Sequence, residues 1–398
     1  MRRLRAHPVV VMIALGTIVR LVLAITTRGL PYDVESWELL RHFFSQDPLH
    51  VYSLVNPGAT FHWPYPSGFL PLMLLVSGIA DLTGGGFTHL VRGPAILADA
   101  ALAWLVYSHL AGRVSERARL AAVAAVALGP VFIAISAYAV QIDAVAILPA
   151  VIALLVWERV QDRRRALLAG VLIGIAASIK TVPLVMVLAL APTSRSVREL
   201  LVLAAGAVAV PLLALSPFLL ADPHGVLGLH HYASSPGMGG LSLVAQPDLA
   251  ARWLTRWVLT TNLENSLFIV HAGAFNLLVV AAFGLYAWRW RPAPRPAAAL
   301  LWLLVLAFGS GFFFQYLVWG LPFFLLTGAV RATILLQLLV SVPMLIYFLA
   351  PWKDAAIVYV YVPFMLAVWA CWVAGAVALA RGGMLRRKRS LTQSSALA

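Results

Sequence analysis

Apolar residues in this chain come in long runs separated by short polar breaks. A helix crossing a bilayer core needs about 20 predominantly apolar residues. Runs of that kind fall near residues 8–26, 92–111, 119–138, 144–158, 166–179, 182–192, 199–220, 266–288, 298–314, 317–330, 332–350 and 356–380. They predict an all-α, polytopic membrane protein with about twelve transmembrane helices. One further run, 67–83 (SGFLPLMLLVSGIADLT), is short for a crossing and reads as a membrane-dipping or interfacial piece. The opening MRRLRAHPVVVMIALGTIVRLVLAI has the basic start of a signal peptide. Its apolar run is too long for one and lacks a small-residue cleavage pattern, so it reads as a retained first span.

Composition excludes a soluble domain. The chain is 62% hydrophobic and 11% charged, against about a quarter charged in soluble proteins. The net charge of +14 would suggest nucleic acid in a soluble protein, but here the basic residues cluster in short loops between spans. That is the positive-inside pattern, and no nucleic-acid partner is needed. With 67–83 not crossing, most Lys and Arg fall on the side of the N-terminus; if it crossed, the asymmetry would collapse. The expectation is a multi-pass protein of the cell (cytoplasmic) membrane with both termini cytoplasmic. Its long outer loops are 27–91 and 221–265. The organisation expected is a transmembrane module over 1–220 carrying the large first outer loop, an outer loop over 221–265, and a C-terminal transmembrane module over 266–398 with a basic tail. Cys371 is the single cysteine, so no intrachain disulfide forms.

The first outer loop begins RGLPYDVESWELLRHFF. From Val34, the residues Val34, Trp37, Leu40 and Phe44 recur at helical spacing and predict an amphipathic helix on the membrane surface. Asp33 stands just before it, either as an N-cap or as a catalytic base. Glu35 follows. In an extended stretch the two carboxylates share a face and suit a divalent metal, Mg or Mn, through oxygen; in a helix they diverge. A solvated surface acid is the favoured reading of Glu35, and no cofactor is assigned. His62, Trp63 and Tyr65 lie in the stiff turn FHWPYPSGF, where aromatic residues suit the interface and also a sugar or lipid.

Ionisable and amide residues in apolar surroundings are functional candidates. They are Arg20, Asp99, Gln141, Asp143 and Lys180. The alternatives are internal pairing, for example Arg20 with Asp143, or snorkelling, which accounts for Lys180 and Arg20 but not for Gln141 and Asp143. The second outer loop carries His224, His230, His231 and Tyr232 without zinc-ligand spacing. Its glycines suit a mobile loop over a substrate cleft. Arg252 and Arg256 share one helical face and suit phosphate. Gln315, Tyr316 and Trp319 stand at another outer turn.

In order along the chain, PYDVES, WPYPSG, QID, AGVLIGIAASIKTVPL and QYLVWGLPF together resemble the GT-C superfamily of membrane glycosyltransferases that use polyprenyl-phosphate sugars, mannosyltransferases above all. The resemblance implies a catalytic carboxylate at Asp33, with Glu35 as a second acidic position. Asp-Val-Glu stands where some members have Asp-x-Asp, a departure that weighs against a metal. It also implies family positions at Asp143 and Lys180. The substrate-binding set expected is Glu35, His62, Tyr65, Gln141, Asp143, Lys180, His230, His231, Arg252, Arg256 and Gln315. The implied partners are a polyprenyl-phosphate sugar donor, a glycolipid or glycan acceptor, and the bilayer. A lipid phosphate departs as an anion, so one carboxylate to take the acceptor proton and cations on the phosphate suffice, and a single in-line attack inverts the anomeric centre. The competing functions are a transporter or flippase of polyprenyl-linked glycans and a non-catalytic membrane subunit.

Overall fold

A computed structural model describes residues 8–58, 61–162, 164–229, 232, 237–245, 270–349 and 356–396. Every regular element among them is helical. Among the described residues, seven helices are long and apolar enough to cross a membrane: Pro8–Thr26, Phe87–His109, Glu116–Tyr138, Val197–Ala221, Ala272–Trp290, Val330–Leu349 and Tyr359–Met384. The other five expected crossings are shorter helices. Asp143–Arg159 has 17 residues and Arg164–Ile179 has 16; Val182–Thr193, Pro294–Phe308 and Tyr316–Leu326 also fall below span length, as does Ser67–Thr83. Asp143–Arg159 is apolar on all sides and largely buried, the pattern of a helix covered by protein.

Two compact units form. The first comprises Met1–Leu184, Arg198–Tyr232 and Gly328–Ile334; the second comprises Val185–Val197, Ala233–Thr327 and Leu335–Ala398. In the second, Trp302 packs with Trp319 and Phe323, and the buried Arg295 donates to the Leu326 carbonyl at 3.3 Å.

The first unit opens with α1 (Pro8–Thr26), α2 (Pro31–Gln46) and α3 (Val51–Val55). Proline at the first helical position starts α2. The helix therefore begins ahead of Asp33, not at Val34. Its inner face is Trp37 and Leu40, with Val34 and Phe44 at the margin of the same core. Gly29, at φ +90°, turns the chain from α1 into α2, a conformation that costs glycine least. Arg92, buried, caps the end of α1, donating to the carbonyls of Ala24 at 2.9 Å, Thr27 at 3.2 Å and Arg28 at 2.8 Å.

After α4 (Leu70–Thr83), α5 (Phe87–Leu90) and α6 (Gly93–His109) comes α7 (Glu116–Ala127), then α8 (Pro130–Ile133) and a π-helix over Ala134–Tyr138. Pro130 has no N–H to give the Val126 carbonyl. Arg20 fills the gap: it donates to the carbonyls of Val126 at 2.9 Å and of Ala127, and pairs with Asp99 at 2.9 Å. The pairing of Arg20 with Asp143 considered from sequence is thus replaced by Arg20 with Asp99. Snorkelling fails for Arg20 and Lys180, each only 2% exposed. Next, α9 (Asp143–Arg159) and α10 (Arg164–Ile179) pack side by side, and α10 receives the turn over Ser67–Phe69. A Cβ on Gly68 would lie 2.6 Å from the Ser178 backbone, so only glycine allows that approach.

Candidate functional site

The site sits where three short-range breaks meet: the start of α2, the turn leading to Ser67, and the link from the π-helix into α9. Asp33 lies in the first turn of α2, whose N-cap is Leu30. The N-cap reading of Asp33 therefore fails. Its carboxyl turns to another element: Gln141 Nε2 donates to Asp33 Oδ1 at 2.9 Å. Lys180 Nζ, at the end of α10, donates to Gln141 Oε1 at 3.3 Å and to Asp143 Oδ2 at 2.9 Å. The ammonium also stands 4.3 Å from the Tyr65 ring centre, a cation–π contact. Asp33, Gln141, Asp143, Lys180 and Tyr65 are thus one connected cluster. Asp143 is fully buried and neutralises Lys180, so this lysine supports the cluster from within.

The chain conformation that presents Gln141 is unusual. Val140 has φ 58°, a region that costs a β-branched residue about 1–3 kcal/mol. Its carbonyl accepts from the buried indole Nε1 of Trp37 at 2.9 Å. The π-helix just upstream adds a second irregularity of the sort that gathers at functional sites. Trp37 in turn packs on Trp63, Phe69 and Phe87, so the core beneath α2 also fixes the Gln141 backbone.

On the other side, His62 stacks on Tyr32 at 5.0 Å and meets Ser36 Oγ at 3.0 Å. The Ser36 hydroxyl donates to the Tyr32 carbonyl at 2.7 Å. It therefore accepts from the Nδ1–H of His62. Asn56 pins the turn by accepting from Trp63 N at 2.8 Å and donating to Trp63 O at 3.0 Å.

Desolvation dominates the electrostatics. Part of Asp33 stays accessible, but protein hems in its carboxyl, and burial pushes its pKa from 3.8 to about 7. The Gln141 hydrogen bond and Lys180 pull the other way, and Asp143 adds to the rise. Tyr232, which edges onto Phe61 at 5.8 Å, is held protonated by burial first and then by Tyr65, Tyr32, Asp33 and Asp143. Sequence reading saw Tyr232 only as a loop residue beside the histidines. Its place near Asp33 depends on a fold contact that no spacing in the sequence announces. Ser36, Trp37 and Val140 were missed for the same reason.

Glu35 is exposed. Two positions on from Asp33 in a helix, it faces away, so the two carboxylates do not converge on a metal. Among the described residues no group of three His, Cys, Asp or Glu side chains is placed to hold a metal ion. Gln315 belongs to the second unit, just before the helix that starts at Tyr316, whose ring stacks on Trp319 at 4.0 Å. His230, His231, Arg252 and Arg256 lie outside the described residues.

A carboxylate held near neutrality beside aromatic rings can accept a proton from a hydroxyl, and the rings suit the apolar face of a sugar. The sequence model of glycosyltransferase family 87 matches residues 63–314. That segment holds Tyr65, Gln141, Asp143 and Lys180, whereas Asp33 and His62 precede it. No curated protein matches the chain.

Proposed function

This chain belongs to glycosyltransferase family 87, a GT-C type family of membrane glycosyltransferases, and from that membership we propose an inverting mannosyltransferase with Asp33 as its base. The donor is a polyprenyl-phosphate sugar, and the acceptor is a glycolipid or glycan on the outer face of the cell membrane. Twelve crossings with both termini cytoplasmic complete the topology we propose. It has a module over 1–220, an outer loop over 221–265 and a module over 266–398.

In the reaction, the acceptor hydroxyl oxygen attacks the anomeric carbon as the bond to the phosphate oxygen breaks. Polyprenyl phosphate leaves with the bonding pair, and the hydroxyl proton passes to Asp33. A single displacement inverts the anomeric centre. Gln141 orients the carboxylate, and Lys180 with Asp143 holds Gln141 in place. Tyr65 and His62 line the approach to the sugar, and Glu35, on a different face of α2, is assigned to a more distant part of the substrate. Arg252, Arg256, His230 and His231 are the groups we assign to the phosphate, with Gln315 as a further polar contact.

The single observation that carries this reading is the Asp33 carboxyl, tied to Gln141 at 2.9 Å and raised to about 7 by burial. A base is most effective when its pKa lies near the working pH. The test is purified protein in lipid nanodiscs with polyprenyl-phosphate mannose and an extract of membrane glycolipids. Release of polyprenyl phosphate with a mannosylated product of inverted configuration is expected. No release, or a product of retained configuration, overturns the proposal.

A further inference from the structure

We propose that a cleft along another flank of α2 is a second carbohydrate subsite, which holds the sugar head group of the lipid-linked acceptor. The inference rests on the proposed function and deepens it.

The cleft is an open groove of about 820 Å³ between α2, α4 and α5, a size that suits a small ligand. Its α2 wall presents Glu38, His42 and Ser45, spaced so that they share one face. Arg41 is fixed at the edge. Its guanidinium bonds Asp81 of α4 at 2.5 Å and lies 4.9 Å from the Phe87 ring centre. The α4 wall adds Ser77, whose buried hydroxyl has no partner among the described residues.

This lining selects a polyol. Glu38 and Asp81 accept from hydroxyl groups, Arg41 and His42 donate to ring and hydroxyl oxygens, and Ser77 does both. Two carboxylates, Glu38 and Asp81, stand against the one guanidinium of Arg41 in this lining, so a phosphate head group gains no favourable net field. Leu75, Ile79 and Leu82 on the outer side of α4 are 59%, 42% and 88% exposed, an apolar edge that suits the bilayer and the tail of an amphiphile. Along α2 the cleft begins at Glu38, five residues from Asp33, about 7.5 Å along the axis and about 140° around it. A head group of several sugars that follows the flank of α2 spans such a separation.

Gly78 gives a clean way to close the cleft. It lines the wall, and a Cβ there would meet no atom within 4 Å. In a helix interior, replacing glycine raises helix propensity, so Gly78→Leu fills space without strain.

The experiment is maleimide labelling of a Ser45→Cys, Cys371→Ser variant in nanodiscs, with octyl mannopyranoside as the probe. At roughly ten times its Kd the probe leaves about a tenth of the sites free, so labelling slows about tenfold. Octyl phosphate is expected to give no protection. Adding Gly78→Leu, or Glu38→Gln with Asp81→Asn, is expected to abolish protection by the mannoside. Equal protection by octyl phosphate, no protection by the mannoside, or protection that survives both sets of changes overturns the proposal. The readout needs no turnover, so a chain that binds the probe but releases no polyprenyl phosphate keeps the subsite while losing the proposed reaction. The reverse result removes only the subsite.

Discussion

At the residue scale, the activity proposed here makes Asp33 a destabilising group. Its carboxyl ionises near 3.8 when the chain is unfolded and near 7 in the fold. Between those values the folded state holds the extra proton, so stability falls as pH rises and the full loss is reached above about pH 7. The amide introduced by Asp33→Asn carries no such titration, and its oxygen can still accept from Gln141. The substitution is therefore expected to raise the thermal midpoint, hardly at pH 4 and most above pH 7. A midpoint difference that does not change with pH would mean that Asp33 is not desolvated. Sequence left Asp33 between cap and base. The structure decides against the cap, because Pro31 starts the helix early and moves the cap position to Leu30.

Between elements, the ion pair of Lys180 and Asp143 fastens the end of α10 to the start of α9 at 2.9 Å. Both side chains are almost fully buried. Removing one partner from such a pair costs about 3–5 kcal/mol, whereas replacing both by apolar groups of similar size is often neutral. Lys180→Met is thus expected to lower stability by about that amount, and Lys180→Met with Asp143→Leu to recover most of it in denaturant unfolding. Transfer is expected to stay impaired in the double variant, because Gln141 has lost its hold. Full recovery of transfer would show that the cluster serves folding alone. The sequence named both residues yet offered Arg20 as the partner of Asp143. What it could not reveal is that the Val126 carbonyl, freed by Pro130, lies beside Arg20 and draws it toward α7 and Asp99.

For the molecule as a whole, hydrophobic length and basic clustering make the membrane class and the all-helical fold legible, because a bilayer leaves the backbone few other ways to satisfy its hydrogen bonds. Apolar run length does not by itself separate a crossing from a helix buried in protein. The runs near 144–158 and 166–179 become helices of 17 and 16 residues whose buried faces pack on one another, and burial in protein produces the same apolar sequence as burial in lipid. The site was half legible. Asp33, Gln141, Asp143 and Lys180 could be named from their surroundings, but not the strained Val140, the Trp37 indole that holds it, or Tyr232. The central claim is that the Asp33 carboxylate takes the acceptor proton, and its most direct test is the pH dependence of kcat/KM for sugar transfer. The account predicts an acid limb centred near pH 7, falling about tenfold per pH unit below it, and a loss of about 10²–10⁴-fold in Asp33→Asn. A rate that stays flat from about pH 5 to 8, or an Asp33→Asn variant that transfers sugar at the normal rate, would contradict it.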